Sequence, residues 1–66
     1  MIYSNSEIKA IIDEYIHSET DRKILKKRFI DGLTYAEIAE QEHFSERQIQ
    51  RRIYKTQEIV FNMLEK

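Results

Sequence analysis

The sequence predicts an all-α domain of four helices, and three observations lead to this class. The 66 residues include no proline and a single glycine, so few positions disfavour helix. Apolar residues recur at spacings of three and four, as on the buried stripe of an amphipathic helix. At three places a Ser or Thr precedes a Glu or Gln by three residues, which is the capping-box signature of a helix start.

The first signature, Ser4 with Glu7, predicts a helix at about residues 5–17. Tyr3 before the cap and Ile8 after it can pack as a hydrophobic staple. The apolar stripe of this helix consists of Ile8, Ile11, Ile12, Tyr15 and Ile16. Such a stripe on an N-terminal helix can support the core or take part in a dimer.

A second helix is expected at about residues 19–31, with either Ser18 or Thr20 as its N-cap. Its apolar face consists of Ile24, Leu25, Phe29 and Ile30. Gly32 follows this helix and is expected to end it in a left-handed backbone conformation, which glycine adopts without steric cost.

The second signature, Thr34 with Glu37, predicts a short helix at about residues 35–42. His43 occupies the turn after this helix, at a position where a positive φ is expected and glycine would be the easiest residue. A histidine can adopt that conformation at modest cost.

The third signature, Ser45 with Gln48, begins a helix that runs from about Glu46 to near the C-terminus. About 20 residues of α-helix span roughly 30 Å, which is long for a domain of this size. Its apolar stripe repeats at 4-3-4-3 spacing and consists of Ile49, Ile53, Thr56, Val60 and Met63. Tyr54, Phe61 and Leu64 widen this stripe toward the end of the helix.

The capped helix starts at Thr34 and Ser45 lie eleven residues apart, and each is flanked by a potential staple. This distance accommodates a short helix, a tight turn and a second helix, which are the dimensions of a DNA-binding helix-turn-helix. We therefore expect one domain over residues 1–66, with the motif at about 34–54 and the long last helix as the recognition helix.

The composition argues against several other classes of protein. The chain has no cysteine and two histidines, so we expect neither a disulfide nor a metal site. It contains no nucleophile–base set and no glycine-rich phosphate loop, so we expect no enzyme, cofactor or small-molecule substrate. It contains no long apolar run, so we expect a cytoplasmic location and no membrane partner.

The net charge of −1 conceals alternating charged blocks along the chain. Residues 1–21 and 34–46 each carry a net charge of −4, residues 22–33 carry +4 and residues 47–66 carry +3. The pI of about 6.1 argues against nucleic-acid binding, whereas the basic charge on the recognition helix favours it. Ordinary solvated helix faces would also explain each block, so both interpretations stay open.

The segments LTYAEIAE at residues 33–40 and FSERQIQRRI at 44–53 resemble region 4 of bacterial sigma factors and the related helix-turn-helix of LuxR-type response regulators. Small phage-encoded transcriptional regulators of the ArpU and RinA type are also similar. The resemblance covers about residues 20–56. It departs from the family pattern at His43, where glycine is usual, and at Glu42, where an apolar residue is common.

The resemblance implies a sequence-specific DNA-binding regulator of transcription, of phage or mobile-element origin, that reads the major groove with the N-terminal end of the last helix. Arg can pair with guanine, Gln with adenine and Glu with cytosine. The candidates for such base contacts are Glu46, Arg47, Gln50 and Arg51. The candidates for contacts with the DNA backbone are Thr34, Tyr35, Ser45, Gln48, Arg52 and Lys55. Lys26, Lys27 and Arg28 would add long-range attraction.

Explanations without DNA contact stay open for these residues. A solvated helix face would explain the arginines, core packing would explain Tyr35, and a favourable first-turn charge would explain Glu46. The chain could also be a protein-interaction module that binds RNA polymerase or a sigma or anti-sigma partner without contacting DNA. Its acidic segments 1–21 and 34–46 would then take part in binding.

Self-association is a further hypothesis, because the apolar residues of the first and last helices exceed what a small core requires. The surplus residues are Ile2, Tyr3, Tyr54, Phe61, Met63 and Leu64, and we expect Tyr54, Phe61 and Leu64 to form a dimer interface. A symmetric dimer would match a palindromic DNA site with half-sites about 34 Å apart. Alternatively, the first helix packs across the last and buries them all.

Overall fold

The computed structural model describes residues 3–65, and within this range it contains four α-helices and no strand. The helices are α1 (Asn5–Tyr15), α2 (Glu19–Phe29), α3 (Tyr35–Glu42) and α4 (Glu46–Leu64). The predicted all-α class is therefore confirmed. Ile2, one of the residues that we counted as surplus, lies outside the described residues.

The helices begin where the capping signals predict. All three capping boxes form, at the N-termini of α1, α3 and α4. In each, the Ser or Thr hydroxyl accepts the backbone N–H three residues on, and that residue's side chain accepts the N–H of the cap. The N-cap of α2 is Ser18 rather than Thr20, and its hydroxyl accepts the N–H of Asp21 at 3.3 Å.

Two helices end two residues earlier than the sequence predicts. α1 ends at Tyr15, because Ile16 is extended and its carbonyl accepts a hydrogen bond from the side chain of Arg22. α2 ends at Phe29, because the chain turns there toward the left-handed conformation of Gly32, whose φ is 74°. Both ends thus depend on contacts or turns outside the helix itself.

The turn between α3 and α4 has the left-handed conformation that we expected at His43, with φ 62° and ψ 39°. The N–H groups of His43 and Phe44 both donate to the carbonyl of Ala39. These bonds satisfy a terminal carbonyl of α3 and direct the chain sharply into α4. Histidine therefore supports the turn at a position where the family pattern has glycine.

The hydrophobic core lies where the four helices meet, and α4 is its central element because it packs against each of the other three. The buried apolar residues are Ile12, Ile16, Ile24, Leu25, Ile38, Ala39, Ile49, Ile53 and Val60. Thr56 is also buried, and its hydroxyl donates to the carbonyl of Arg52 at 2.7 Å. Among the described residues, no helix has both the length and the apolar character needed to cross a membrane.

Candidate nucleic-acid interface

The helix-turn-helix consists of α3, the turn at residues 43–45 and α4. Phe44 packs against the core, which fixes the turn, and Ser45 caps α4 directly after it. Ile49 and Ile53 anchor the start of α4, since they are 0% and 1% exposed. The opposite face of these first turns therefore points to solvent, beside a helix N-terminus that favours negative charge.

The four residues predicted to contact bases share this solvent face. All of them are exposed, namely Glu46, Arg47, Gln50 and Arg51. The side chain of Gln50 has a neighbour one turn on, because its Nε2 donates to the hydroxyl of Tyr54 at 3.3 Å. The structure brings these residues together on one surface, and their contact with bases stays a prediction.

Three of the residues predicted to contact the DNA backbone also cap helices. The hydroxyl of Thr34 accepts the N–H of Glu37 at 3.2 Å, and that of Ser45 accepts the N–H of Gln48 at 3.2 Å. The Oε1 atom of Gln48 accepts the N–H of Ser45 at 3.0 Å. These bonds leave the amide N–H groups of Gln48 as donors for an anion.

The remaining backbone candidates differ in their surroundings. Lys55 is exposed on α4. Tyr35 is half-buried against the core, and the guanidinium of Arg28 lies over its ring, 4.6 Å from the centroid. The structure thus gives Tyr35 the packing role that we kept as the alternative, and only its hydroxyl end could reach DNA.

Arg52, the last backbone candidate, lies in a groove between the start of α2 and the middle of α4. This basic groove is lined by Asp21, Gln48, Arg51, Arg52 and Lys55. An Nη1 atom of Arg52 donates to the Asp21 carboxylate at 2.8 Å, and the guanidinium lies 4.8 Å from the centroid of the Phe44 ring. The sequence analysis missed Asp21, because nothing in the local pattern indicates a partner 31 residues away.

The basic residues of α2 that we expected to add long-range attraction also make contacts within the domain, and their effect on DNA stays a prediction. Lys26 pairs with Asp13 at 2.6 Å, and Lys27 pairs with Glu42 at 2.9 Å. Arg28 donates to the carbonyl of Leu33 at 3.0 Å. This part of the chain therefore uses its positive charge mainly to hold the helices together. The same pairs also neutralise part of the acidic segments that we considered for a protein partner.

The basic residues on the exposed face of α4 have different surroundings. Within residues 3–65, Arg47, Arg51 and Lys55 make no ion pair, whereas Lys26, Lys27 and Arg52 each do. The charges of Arg47, Arg51 and Lys55 are thus available to an anion outside the domain.

Two carboxylates bind protons less readily than usual because of their hydrogen bonds. The hydrogen bond from the Lys26 ammonium lowers the pKa of Asp13. The backbone N–H of Thr34, followed by its hydroxyl, lowers the pKa of Glu37. Asp13 thus stabilises helix packing, and Glu37 stabilises the start of α3. No group of three His, Cys, Asp or Glu side chains that could hold a metal ion occurs in the described part of the chain.

A second groove, at the other end of the molecule, is apolar. This apolar groove is lined by Tyr3, Ile8, Phe29, Val60, Phe61 and Leu64. Phe61 packs edge-to-face on Phe29, with ring centroids 5.6 Å apart, and still has 42% of its surface exposed. Of the dimer candidates, Phe61 and Leu64 thus lie together, whereas Tyr54 lies nearer the start of α4, beside Gln50.

Comparison with known proteins assigns most of this arrangement to one family. A family model for sigma-70, region 4, matches residues 18–56, which span α2, α3 and the first half of α4. The match has almost the same bounds as the resemblance that we described from the sequence. No curated protein and no solved structure shows a significant similarity to the chain.

Proposed function

The chain belongs to the sigma-70 region 4 family, and on this premise we propose that it reads the major groove of DNA with the exposed face at the start of α4. Domains of this family bind DNA and the core RNA polymerase in transcription, and the family is not one of enzymes. The observation that carries the proposal is the separation of charge. Among the described residues, four of the five cations of α2 bind a carboxylate or a carbonyl of the domain, and Lys23 is the exception. By contrast, Arg47, Arg51 and Lys55 make no ion pair within residues 3–65.

Each proposed contact follows from the donors and acceptors of the side chain. Arg47 and Arg51 donate to guanine, Gln50 pairs with adenine and Glu46 accepts from cytosine. The contacts with the DNA backbone come from Thr34, Tyr35, Ser45, Gln48, Arg52 and Lys55. These contacts fix the register of the domain on DNA and carry no sequence information directly.

Single substitutions at the recognition face test the proposal. A duplex selected from a randomised pool should bind the Arg47→Ala and Arg51→Ala variants more weakly by about 1–3 kcal/mol each, with relaxed preference at one base pair. Lys9→Ala is the control, because it removes an exposed cation from α1. If both arginine variants bind every duplex as the parent does, the assignment of α4 as the recognition helix is wrong.

We also propose that the domain forms a symmetric dimer through Phe61 and Leu64, with Tyr54 at the margin. The exposure of Phe61 supports this, since an aromatic side chain beside an apolar groove gains free energy when a second copy covers it. The interface would lie about 21 Å along α4 from Arg47, so both recognition faces would stay accessible. Sedimentation of the parent and of Phe61→Glu tests this, and a parent that is monomeric at high concentration contradicts it.

The second candidate function is a protein-interaction module that binds RNA polymerase or a sigma or anti-sigma partner without DNA. The apolar groove supports it, because this surface could accept an apolar side chain of a partner. The two functions differ in salt dependence, which is steep for DNA because counterions are released. An origin in a phage or mobile element rests on the resemblance alone, and the genes beside the coding sequence would test it.

A further inference from the structure

Asp21 lies in the basic groove, yet the contacts proposed above give it no role. Its carboxylate accepts a hydrogen bond from Arg52 at 2.8 Å. The side chain of Asp21 is 17% exposed and that of Arg52 is 39% exposed, so the pair is partly shielded from water. A carboxylate at a DNA-binding surface repels the phosphates and weakens binding, unless it also stabilises a contact that DNA needs.

Arg52 is held from two directions. Asp21 engages one edge of its guanidinium, and the ring of Phe44 lies against it at 4.8 Å. A guanidinium carries five N–H donors in a fixed plane, so most of its donors stay available after one bonds Asp21. Two contacts fix the orientation of this plane, and a side chain that is already ordered loses less entropy when it binds an anion.

The other residues of the groove also suit an anion. Arg51 and Lys55 have no carboxylate partner within residues 3–65, and the Nε2 of Gln48 remains a donor because its Oε1 is engaged by Ser45. The groove therefore has three cations and one carboxylate, and it stays positive despite Asp21. A positive groove with free N–H donors can bind a phosphate through charge-assisted hydrogen bonds.

We propose that Asp21 is a positioning residue, which with Phe44 orients Arg52 to bind one phosphate of the DNA backbone in the basic groove. The inference rests on the proposed function, because it concerns the surface beside the recognition face. It deepens that function by adding a residue that acts through Arg52 and does not touch DNA itself.

The direction of the effect separates positioning from simple electrostatics. Removal of a carboxylate next to DNA should tighten binding if only charge matters. If Asp21 positions Arg52, Asp21→Ala weakens binding several-fold despite the loss of negative charge. The slope of log K against log salt should also become shallower by about 0.9, which corresponds to one phosphate contact. Asp21→Glu keeps the carboxylate and should restore most of the affinity.

Two comparisons exclude a loss of folding or a general charge effect. Asp31→Ala removes the same charge from the exposed turn after α2 and should leave affinity unchanged or higher. The double variant Asp21→Ala/Arg52→Ala should bind at least as tightly as Arg52→Ala does, since Asp21 supports binding only through that arginine. Asp21→Leu, which has a similar size but no hydrogen-bond acceptor, replaces Asp21→Ala if circular dichroism shows that the latter is unfolded.

The inference is overturned if the folded Asp21 variant binds as tightly as the parent or tighter, or if Asp21→Ala weakens binding equally in the Arg52→Ala background. In both cases the effect of Arg47→Ala can persist, which leaves the proposed function intact. A parent that binds no duplex at any salt concentration overturns both.

Discussion

At the scale of single residues, the turns of this domain depend on backbone conformation more than on side-chain contacts. Gly32 and His43 both have positive φ, at 74° and 62°. A Cβ added at Gly32 would meet no atom within 4 Å, so only the backbone opposes a side chain there. His43 has a Cβ and accepts the cost of the left-handed conformation.

This cost predicts that His43→Gly stabilises the domain. The strain of a left-handed non-glycine residue, roughly 1–2 kcal/mol, exceeds the roughly 0.5–1 kcal/mol of extra backbone entropy that glycine loses on folding. We expect His43→Gly to raise the free energy of unfolding by about 0.5 kcal/mol, and His43→Val to lower it, in urea titrations. A His43→Gly variant clearly less stable than the parent would show that the imidazole contributes an interaction of its own.

At the scale of elements, the sequence predicted helix starts better than helix ends. A helix start is determined by hydrogen bonds between residues close in sequence, such as the two capping bonds between Ser45 and Gln48. The predicted ends of α1 and α2 were wrong by two residues. α1 ends early because the carbonyl of Ile16 is engaged by Arg22 across the loop, and α2 ends early because the chain turns toward Gly32. Such contacts depend on how the helices pack, and a local pattern does not contain that information.

The capping box of α3 predicts a dependence of stability on acid. The pKa of Glu37 is lowered in the fold, so its contribution is complete above the ordinary pKa of about 4.3 and is lost as pH falls through the lower folded value. Glu37→Gln keeps the box, since Gln48 fills the same role in α4. We expect similar stability at pH 7 and a smaller loss in acid, measured by urea unfolding across pH.

Glu37→Ala is the matched comparison, because it removes the half of the box that Glu37 supplies and should lower stability at pH 7. An acid-side loss for Glu37→Gln as steep as that of the parent would contradict this account of the carboxylate. Asp13 should account for part of the remaining loss, since Lys26 lowers its pKa as well.

At the scale of the whole molecule, the two basic blocks of the sequence differ in their surroundings. Two basic residues of α2 form ion pairs with other helices, Lys26 with Asp13 and Lys27 with Glu42. The basic residues of α4 that make no such pair face solvent on the second helix of the helix-turn-helix. An overall charge of −1 therefore conceals a locally positive surface, and the pI is a poor guide to the partner of this domain.

The sequence predicted the exposed face of α4 because helical periodicity assigns Ile49 and Ile53 to the core and thus Arg47 to the outside. It did not predict that Asp21 would bind Arg52, or that Phe29 and Phe61 would form the wall of a groove. Both features join residues at least 31 positions apart, so they exist only once the helices are packed.

The central claim is that the start of α4 faces DNA, and fluorescence anisotropy tests it most directly. A labelled duplex of random sequence is titrated at low and moderate salt with the parent and with Arg47→Ala/Arg51→Ala. The control, Lys9→Ala/Lys23→Ala, removes two exposed cations from α1 and α2. We predict a dissociation constant on the order of 1–100 µM that rises with salt, with binding lost only in the arginine variant. No binding by the parent at low salt, or equal loss in both variants, would contradict the claim.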